Sequence, residues 1–104
     1  MQINELTGKM HLFVRSKGWY KSNSKKPQTP RNLAISISLE ASEILELFQW
    51  SEACSNKESL AGELADVTLY LLQLASILNI DLEKAILTKL EENQNRTWDA
   101  SIGK

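Results

Sequence analysis

The chain has 104 residues, with 12 basic and 13 acidic side chains and a formal net charge of −1. This balance excludes a strongly basic protein whose overall field attracts nucleic acid or an anionic membrane. The length predicts one domain, residues 1–104, with a small core. The single cysteine, Cys54, excludes an internal disulfide and favours a reducing, cytoplasmic setting. MQINELTGKM lacks the apolar run of a signal peptide, and LYLLQLASILNI is too short to cross a bilayer, so we expect no membrane association.

Four helical patterns, and no convincing strand, follow one another along the chain. The first runs from about Asn4 to Lys17, where apolar residues recur at helical spacing. A loop rich in Gly, Ser, Asn, Lys and Pro separates it from the second. Thr29 and Pro30 are typical of a helix start, and the second pattern continues to about Trp50.

The third pattern begins at a capping box, Ser55 to Glu58, and continues to about Leu78. Asp81 then caps a fourth helix that ends near Arg96. We therefore predict an all-α protein in a four-helix arrangement.

Two pairs of carboxylates lie on the apolar faces of the second and third helices. Glu40 and Glu43 are three residues apart, as are Glu63 and Asp66, so each pair is adjacent on its helix. If the two faces meet, four carboxylates share one small space, and hard oxygen ligands of this kind suit Mg²⁺ or Mn²⁺. The only histidine, His11, has no glutamate three residues before it, which argues against a di-iron bundle. The alternative to a metal site is that these four residues are ordinary solvated acids on the protein surface.

These segments resemble a known family. LEASE followed by ELAD is similar to the E-x-x-E…E-x-x-D signature of the MazG-like all-α nucleoside triphosphate pyrophosphohydrolases. PRNLAISISLEASEILELFQW and ELADVTLYLLQLA resemble longer motifs of the dCTP pyrophosphatase-like branch, and KLEENQNR resembles its K-x-x-x-N-x-x-R element. Leu39 stands where many members have a further Glu, as it does in that branch.

The resemblance implies a reaction and a metal. A nucleoside triphosphate, with dCTP favoured among the dNTPs, would be cut to a monophosphate and pyrophosphate in a house-cleaning role. By the family's pattern Glu40, Glu43, Glu63 and Asp66 are the catalytic residues and hold Mg²⁺, with Mn²⁺ possible. One of them, or Glu46, would accept the proton of the attacking water; Glu46 is otherwise a supporting or surface residue.

The substrate-binding residues are expected on three elements. Lys89, Asn93 and Arg96 recur every three to four residues on the fourth helix and could reach the phosphates, or could simply be a solvated helix end. Trp19, Trp50 and Tyr70 match aromatic positions that line the base pocket in the resembling branch, and a flat base stacks on such rings. The alternative is that Trp50 and Tyr70 are only core residues. Two further candidates remain. Lys21, Lys25 and Lys26 are either mobile loop cations or part of a solvated loop, and Trp98 is an aromatic residue of the tail.

Self-association is expected because the third helix is apolar around much of its circumference. Leu71, Leu72, Leu74, Ile77 and Leu78 are too widely spread for one partner helix to cover. The resemblance implies a homo-oligomer, with a tetramer built as a dimer of dimers favoured and a dimer as the alternative.

Two other functions stay open on the sequence. A catalytically idle helical module, antitoxin-like or regulatory, would use the acidic face to bind a protein. A dUTPase-like specificity would keep the chemistry and change the base.

Overall fold

The structure is a computed structural model that describes residues 2–96. It contains four α-helices and, within those residues, no strand, so the all-α prediction is confirmed. The helices are α1 (Ile3–Ser16), α2 (Pro30–Glu46), α3 (Lys57–Ile77) and α4 (Leu82–Gln94).

The predicted starts of α2 and α4 are confirmed. Thr29 Oγ1 accepts a hydrogen bond from the Asn32 amide at 3.2 Å, with Pro30 opening the first turn. Asp81 Oδ1 accepts from the Lys84 amide at 3.1 Å. Each cap satisfies one of the amides that a helix leaves unpaired at its N-terminus.

Two predicted boundaries are wrong. The cap of α3 is Asn56 rather than Ser55, since Asn56 Oδ1 accepts from the Ser59 amide at 3.0 Å. Helix α2 ends at Glu46 rather than Trp50, because the amides of Leu47 and Phe48 bond three residues back, to Ile44 and Leu45, in a tighter turn.

The core lies between α1, α2 and α3. Helix α2 packs mainly on α3, and α1 also packs on α3. The buried apolar side chains come from these three helices: Met10, Val14, Leu33, Leu72 and Ala75. Helix α4 makes few contacts with α3, and none of its residues is buried.

Helix α3 is long and apolar enough to cross a membrane by length and composition alone. The core helix of a globular protein passes the same test. Glu63 and Asp66 in its first half, together with its packing against α1 and α2, favour the core-helix interpretation.

Candidate active site

The facing surfaces of α2 and α3 bring carboxylates together. One carboxylate oxygen each from Glu40, Glu43 and Glu63 lies within 4.8 Å of the others. Glu40 and Glu43 are one turn apart on α2, and Glu63 reaches them from α3. The two helical faces therefore meet as their apolar patterns require.

Crowding changes the acidity of this cluster. Burial, hydrogen bonding and the negative charges of Glu43 and Asp66 raise the pKa of Glu40 from 4.5 to about 7. Desolvation and the charges of Glu43, Asp66 and Glu46 raise the pKa of Glu63. Asp66 thus acts electrostatically on both raised acids, and Glu46 acts on one of them. A divalent cation would remove the repulsion that holds protons on these groups.

The donor set fits a hard divalent cation. All donors are carboxylate oxygens, the ligands preferred by Mg²⁺ and Mn²⁺. Within residues 2–96, no histidine or cysteine joins a group of potential metal ligands. His11 lies elsewhere, with Nδ1 2.6 Å from the Tyr20 hydroxyl and Nε2 2.8 Å from Ser76 Oγ.

A cavity of about 220 Å³ opens beside the acids. Glu40 and Asp66 line one part of it, and Trp19 and Tyr70, two of the predicted aromatic residues, also line it. Trp19 packs edge-on against Phe13, with ring centroids 5.7 Å apart. The carboxylates and an aromatic wall therefore share one enclosure.

A second cavity, of about 410 Å³, adjoins the first through shared lining residues. Trp19 and Tyr70 line both, and Lys25 and Lys26 line the second. The Lys26 ammonium lies 5.2 Å from the centre of the Trp19 ring, a cation–π distance. The loop lysines are thus near the aromatic wall, where the sequence left their role open.

The other predicted substrate-binding residues lie away from this enclosure within one chain. Trp50 follows the end of α2 and is 90% exposed. Lys89 pairs with Glu92 on the surface of α4 at 3.7 Å. Lys89, Asn93 and Arg96 line neither of the two cavities. Trp98 lies outside the described residues.

The sequence analysis missed two amides in the cavity wall. Gln28, from the loop before α2, and Gln73, from the middle of α3, both line the 220 Å³ cavity. Gln73 is only 2% exposed and is the one buried polar residue of the described chain, residues 2–96. The available signal was a single Gln interrupting the apolar run LYLLQLASIL.

Comparison with known proteins places this arrangement in a family. The model of the MazG-like family matches residues 35–100, which include both acidic pairs. The chain belongs to the MazG-like family. The resemblance stated from the motifs is confirmed. Among solved structures, this MazG-like chain is similar to a pyrophosphatase from Archaeoglobus fulgidus, with a TM-score of 0.74 and 36% identity over 88% of this chain and 87% of that one.

Curated relatives carry the same likeness over a shorter stretch. The MazG-like chain is 38% identical over 76 residues to dCTP pyrophosphatase 1 of Rattus norvegicus and of Homo sapiens. The match covers 64% of this chain and 45% of each relative, so the chain spans about half the length of the curated relatives it matches.

Proposed function

We propose that this MazG-like chain is a single-domain nucleoside triphosphate pyrophosphohydrolase that cleaves dNTPs, dCTP foremost, to a monophosphate and pyrophosphate. The observation that carries the proposal is the juxtaposition of the carboxylate cluster with an aromatic-lined cavity. The names of the similar proteins, dCTP pyrophosphatase and pyrophosphatase, support it. The cellular setting that fits is a cytoplasmic, house-cleaning one, without nucleic acid or membrane as partner.

The acids supply the metal site in this proposal. Glu40, Glu43, Glu63 and Asp66 would hold Mg²⁺, or Mn²⁺ in its place. When bound, the ion offsets triphosphate charge and lowers the pKa of a water molecule for attack on phosphorus. A carboxylate of the cluster accepts the water's proton. Glu46, exposed and close enough to raise the pKa of Glu63, supports the cluster from its edge.

The cavity holds the nucleoside. Trp19 and Tyr70 offer ring faces on which a base stacks, next to Glu40 and Asp66. Lys25 and Lys26, in the adjoining cavity, provide positive charge for a phosphate chain that passes between the two enclosures. A nucleotide with its phosphates at the acids therefore has room for its base against the rings.

The remaining substrate-binding residues fit an oligomeric site. The Cα radius of gyration is 16.6 Å, against about 13 Å for a compact chain of this length. Ile86, Leu87 and Leu90 lie exposed on α4. We propose a homotetramer, a dimer of dimers, with a dimer as the alternative, in which Trp50, Lys89, Asn93 and Arg96 reach the site of a neighbouring subunit.

A substrate panel tests the proposal. Purified protein is incubated with each dNTP, dUTP and NTP with Mg²⁺, and pyrophosphate and orthophosphate are measured separately. The expected result is pyrophosphate, fastest from dCTP. Orthophosphate alone would contradict the assigned bond cleavage, fastest release from dUTP would indicate the dUTPase-like specificity, and no turnover would favour the idle module.

A further inference from the structure

A network of hydrogen bonds passes through the side chain of Gln73, which lines the cavity. Gln28 Nε2 donates to the Lys26 carbonyl at 2.6 Å, and Gln73 Nε2 donates to Gln28 Oε1 at 2.8 Å. Gln73 Nε2 also donates to the Tyr20 hydroxyl at 3.2 Å. The network links the loop before α2 to the middle of α3.

The chemistry of this network fixes which way each amide faces. The Lys26 carbonyl only accepts, so the nitrogen of Gln28 must face it and its oxygen must face Gln73. That oxygen also only accepts, so the nitrogen of Gln73 must face Gln28. The usual ambiguity between the two ends of a glutamine amide is therefore removed by a backbone carbonyl.

The far end of the network supports the same orientation. Tyr20 receives a hydrogen bond from Gln73, so its own hydroxyl hydrogen is free to be donated to His11 Nδ1 at 2.6 Å. His11 then carries its hydrogen on Nε2, which donates to Ser76 Oγ at 2.8 Å. Each of the five hydrogen bonds in the network then joins one donor to one acceptor.

One atom of the buried amide is left over. Gln73 uses both amide hydrogens, while no hydrogen bond among residues 2–96 reaches its Oε1. Gln73 is 2% exposed and lines the cavity that Trp19 and Tyr70 also line. This Oε1 is not one of the fully buried unpartnered atoms, so it keeps some accessible surface, and a ligand that donates to it would supply the hydrogen bond that no protein group makes.

We propose that Gln73 selects the base: its Oε1 accepts a hydrogen bond from the exocyclic amino group of cytosine and disfavours uracil, which has a carbonyl at that position. This inference rests on the proposed function and names a specificity-determining residue for it. Cytosine N4 is a donor, whereas the corresponding oxygen of a uracil-type base is an acceptor and would face Oε1 with no hydrogen between them. Gln28 acts as a positioning residue, because it prevents the Gln73 amide from turning its nitrogen toward the base.

The test compares dCTP with dUTP, which differ at the edge in question. The kcat/KM ratio of dCTP to dUTP is measured for the wild type, for Gln73→Met and for Gln94→Met, a matched control at the exposed end of α4. We expect the wild type to favour dCTP, Gln73→Met to lower the ratio by about tenfold to a hundredfold, and the control to keep it. A wild type that favours dUTP, or a folded Gln73→Met with an unchanged ratio, would overturn the inference.

A second variant covers the case in which Gln73→Met fails to fold. Gln28→Ala leaves the buried α3 position intact and frees the Gln73 amide to rotate. Its ratio should fall by several-fold through faster turnover of dUTP, since the amide nitrogen can then donate to the uracil carbonyl. An unchanged ratio in folded Gln28→Ala would remove the positioning role and, with Gln73→Met unfolded, would decide against the inference.

A binding measurement separates this inference from the proposed reaction. Calorimetric titration with dCMP and with dUMP requires no turnover. Tighter binding of dCMP that is lost in Gln73→Met, or in Gln28→Ala, supports the inference even if no triphosphate is hydrolysed. Equal binding of the two nucleotides by the wild type, or no binding of either, overturns it.

Discussion

His11 on α1 and Ser76 on α3 are joined by a 2.8 Å hydrogen bond between Nε2 and Oγ, 65 residues apart in the sequence. The bond ties α1 to the helix that carries Glu63, Asp66 and Gln73. We predict that Ser76→Ala lowers the free energy of unfolding by about 1 kcal/mol, because it leaves the imidazole N–H without its acceptor. Urea denaturation measures the change. Ser42→Ala is the control, since its hydroxyl bonds only to the Ser38 carbonyl of its own helix, and an equal loss in both variants would contradict the cross-helix role.

The His11 side chain also predicts a response to acid. Burial, and secondarily the positive charge of Arg15, lowers the pKa of His11 below 6.5. The unfolded chain therefore takes up this proton at a higher pH than the folded chain does. The contribution of neutral His11 to the free energy of unfolding is therefore present above pH 6.5, and it is lost as the pH falls from 6.5 through the folded pKa of His11.

The only histidine of the chain gives a clean spectroscopic reading of this pKa. A titration of the His11 ring followed by NMR should yield a midpoint below 6.5, with the Nε2–H tautomer at neutral pH. A midpoint above 6.5 would mean that the imidazolium is stabilised in the fold, and the bond from Tyr20 to Nδ1 would then be wrong.

The carboxylate cluster predicts the opposite pH dependence for the metal-free protein. The folded pKa of Glu40 is about 7 against an ordinary 4.5, so between these values the unfolded chain loses a proton that the folded chain keeps. The free energy of unfolding therefore decreases, through this group, as pH rises from about 4.5 to about 7. In Glu40→Gln this decrease should be smaller, and stability at pH 8 should equal or exceed that of the wild type.

Thermal unfolding in chelator across this pH range measures the effect. Glu52→Gln, an exposed acid in the turn before α3, is the matched control and should behave as the wild type does. In the activity assay with Mg²⁺, Glu40→Gln should lose most turnover because a proposed metal ligand is gone. A metal-free Glu40→Gln protein clearly less stable than the metal-free wild type would contradict the picture of mutually repelling acids.

Trp19 and Trp50 are both proposed to contact the base, Trp19 from within the chain and Trp50 from a neighbouring subunit. Trp19 lines the cavity, and stacking is worth about 1–3 kcal/mol per base, so Trp19→Ala should raise KM about tenfold to a hundredfold with less effect on kcat. Trp50 is 90% exposed in one chain, and Trp50→Ala should raise KM to a similar degree if a neighbouring subunit brings it to the base. Kinetics with dCTP and dATP decide, with the mass in solution measured for each variant. An unchanged KM in a folded, oligomeric Trp50→Ala would exclude this tryptophan from the site.

The exposed apolar face of α4 is expected to be part of the interface between subunits. Leu87 and Leu90 are each more than half exposed, and a charge placed among buried apolar side chains is costly. Leu90→Glu should therefore lower the molecular mass measured by light scattering, while Glu83→Lys, a charge change in the first turn of α4, should not. A monomeric wild type would contradict the proposed oligomer.

Helical periodicity was sufficient to predict the architecture and the meeting of the acids, because both depend on which residues share a face. Boundaries depend on local competition: Ser55 and Asn56 can each cap a helix, and Asn56 does so. The apolar pattern of α2 continues to Trp50, so the sequence predicted a helix that long, but the backbone leaves the α-helical hydrogen-bond pattern after Glu46. Gln28 could not be placed because a loop has no periodicity, and the importance of Gln73 depends on partners far away in the sequence.

The loop between α1 and α2 supplies part of the cavity wall and none of the clustered acids. Trp19, Tyr20 and Gln28 all lie on it, whereas the acids lie on α2 and α3. Lys26 makes two contacts within this loop: its ammonium lies over the Trp19 ring, and its carbonyl accepts a hydrogen bond from Gln28. Exposed loops tolerate substitution and insertion better than packed helices do. Because Tyr70 and Gln73 lie on α3, substitutions in this loop would change only part of the cavity wall and leave the acids on α2 and α3 in place.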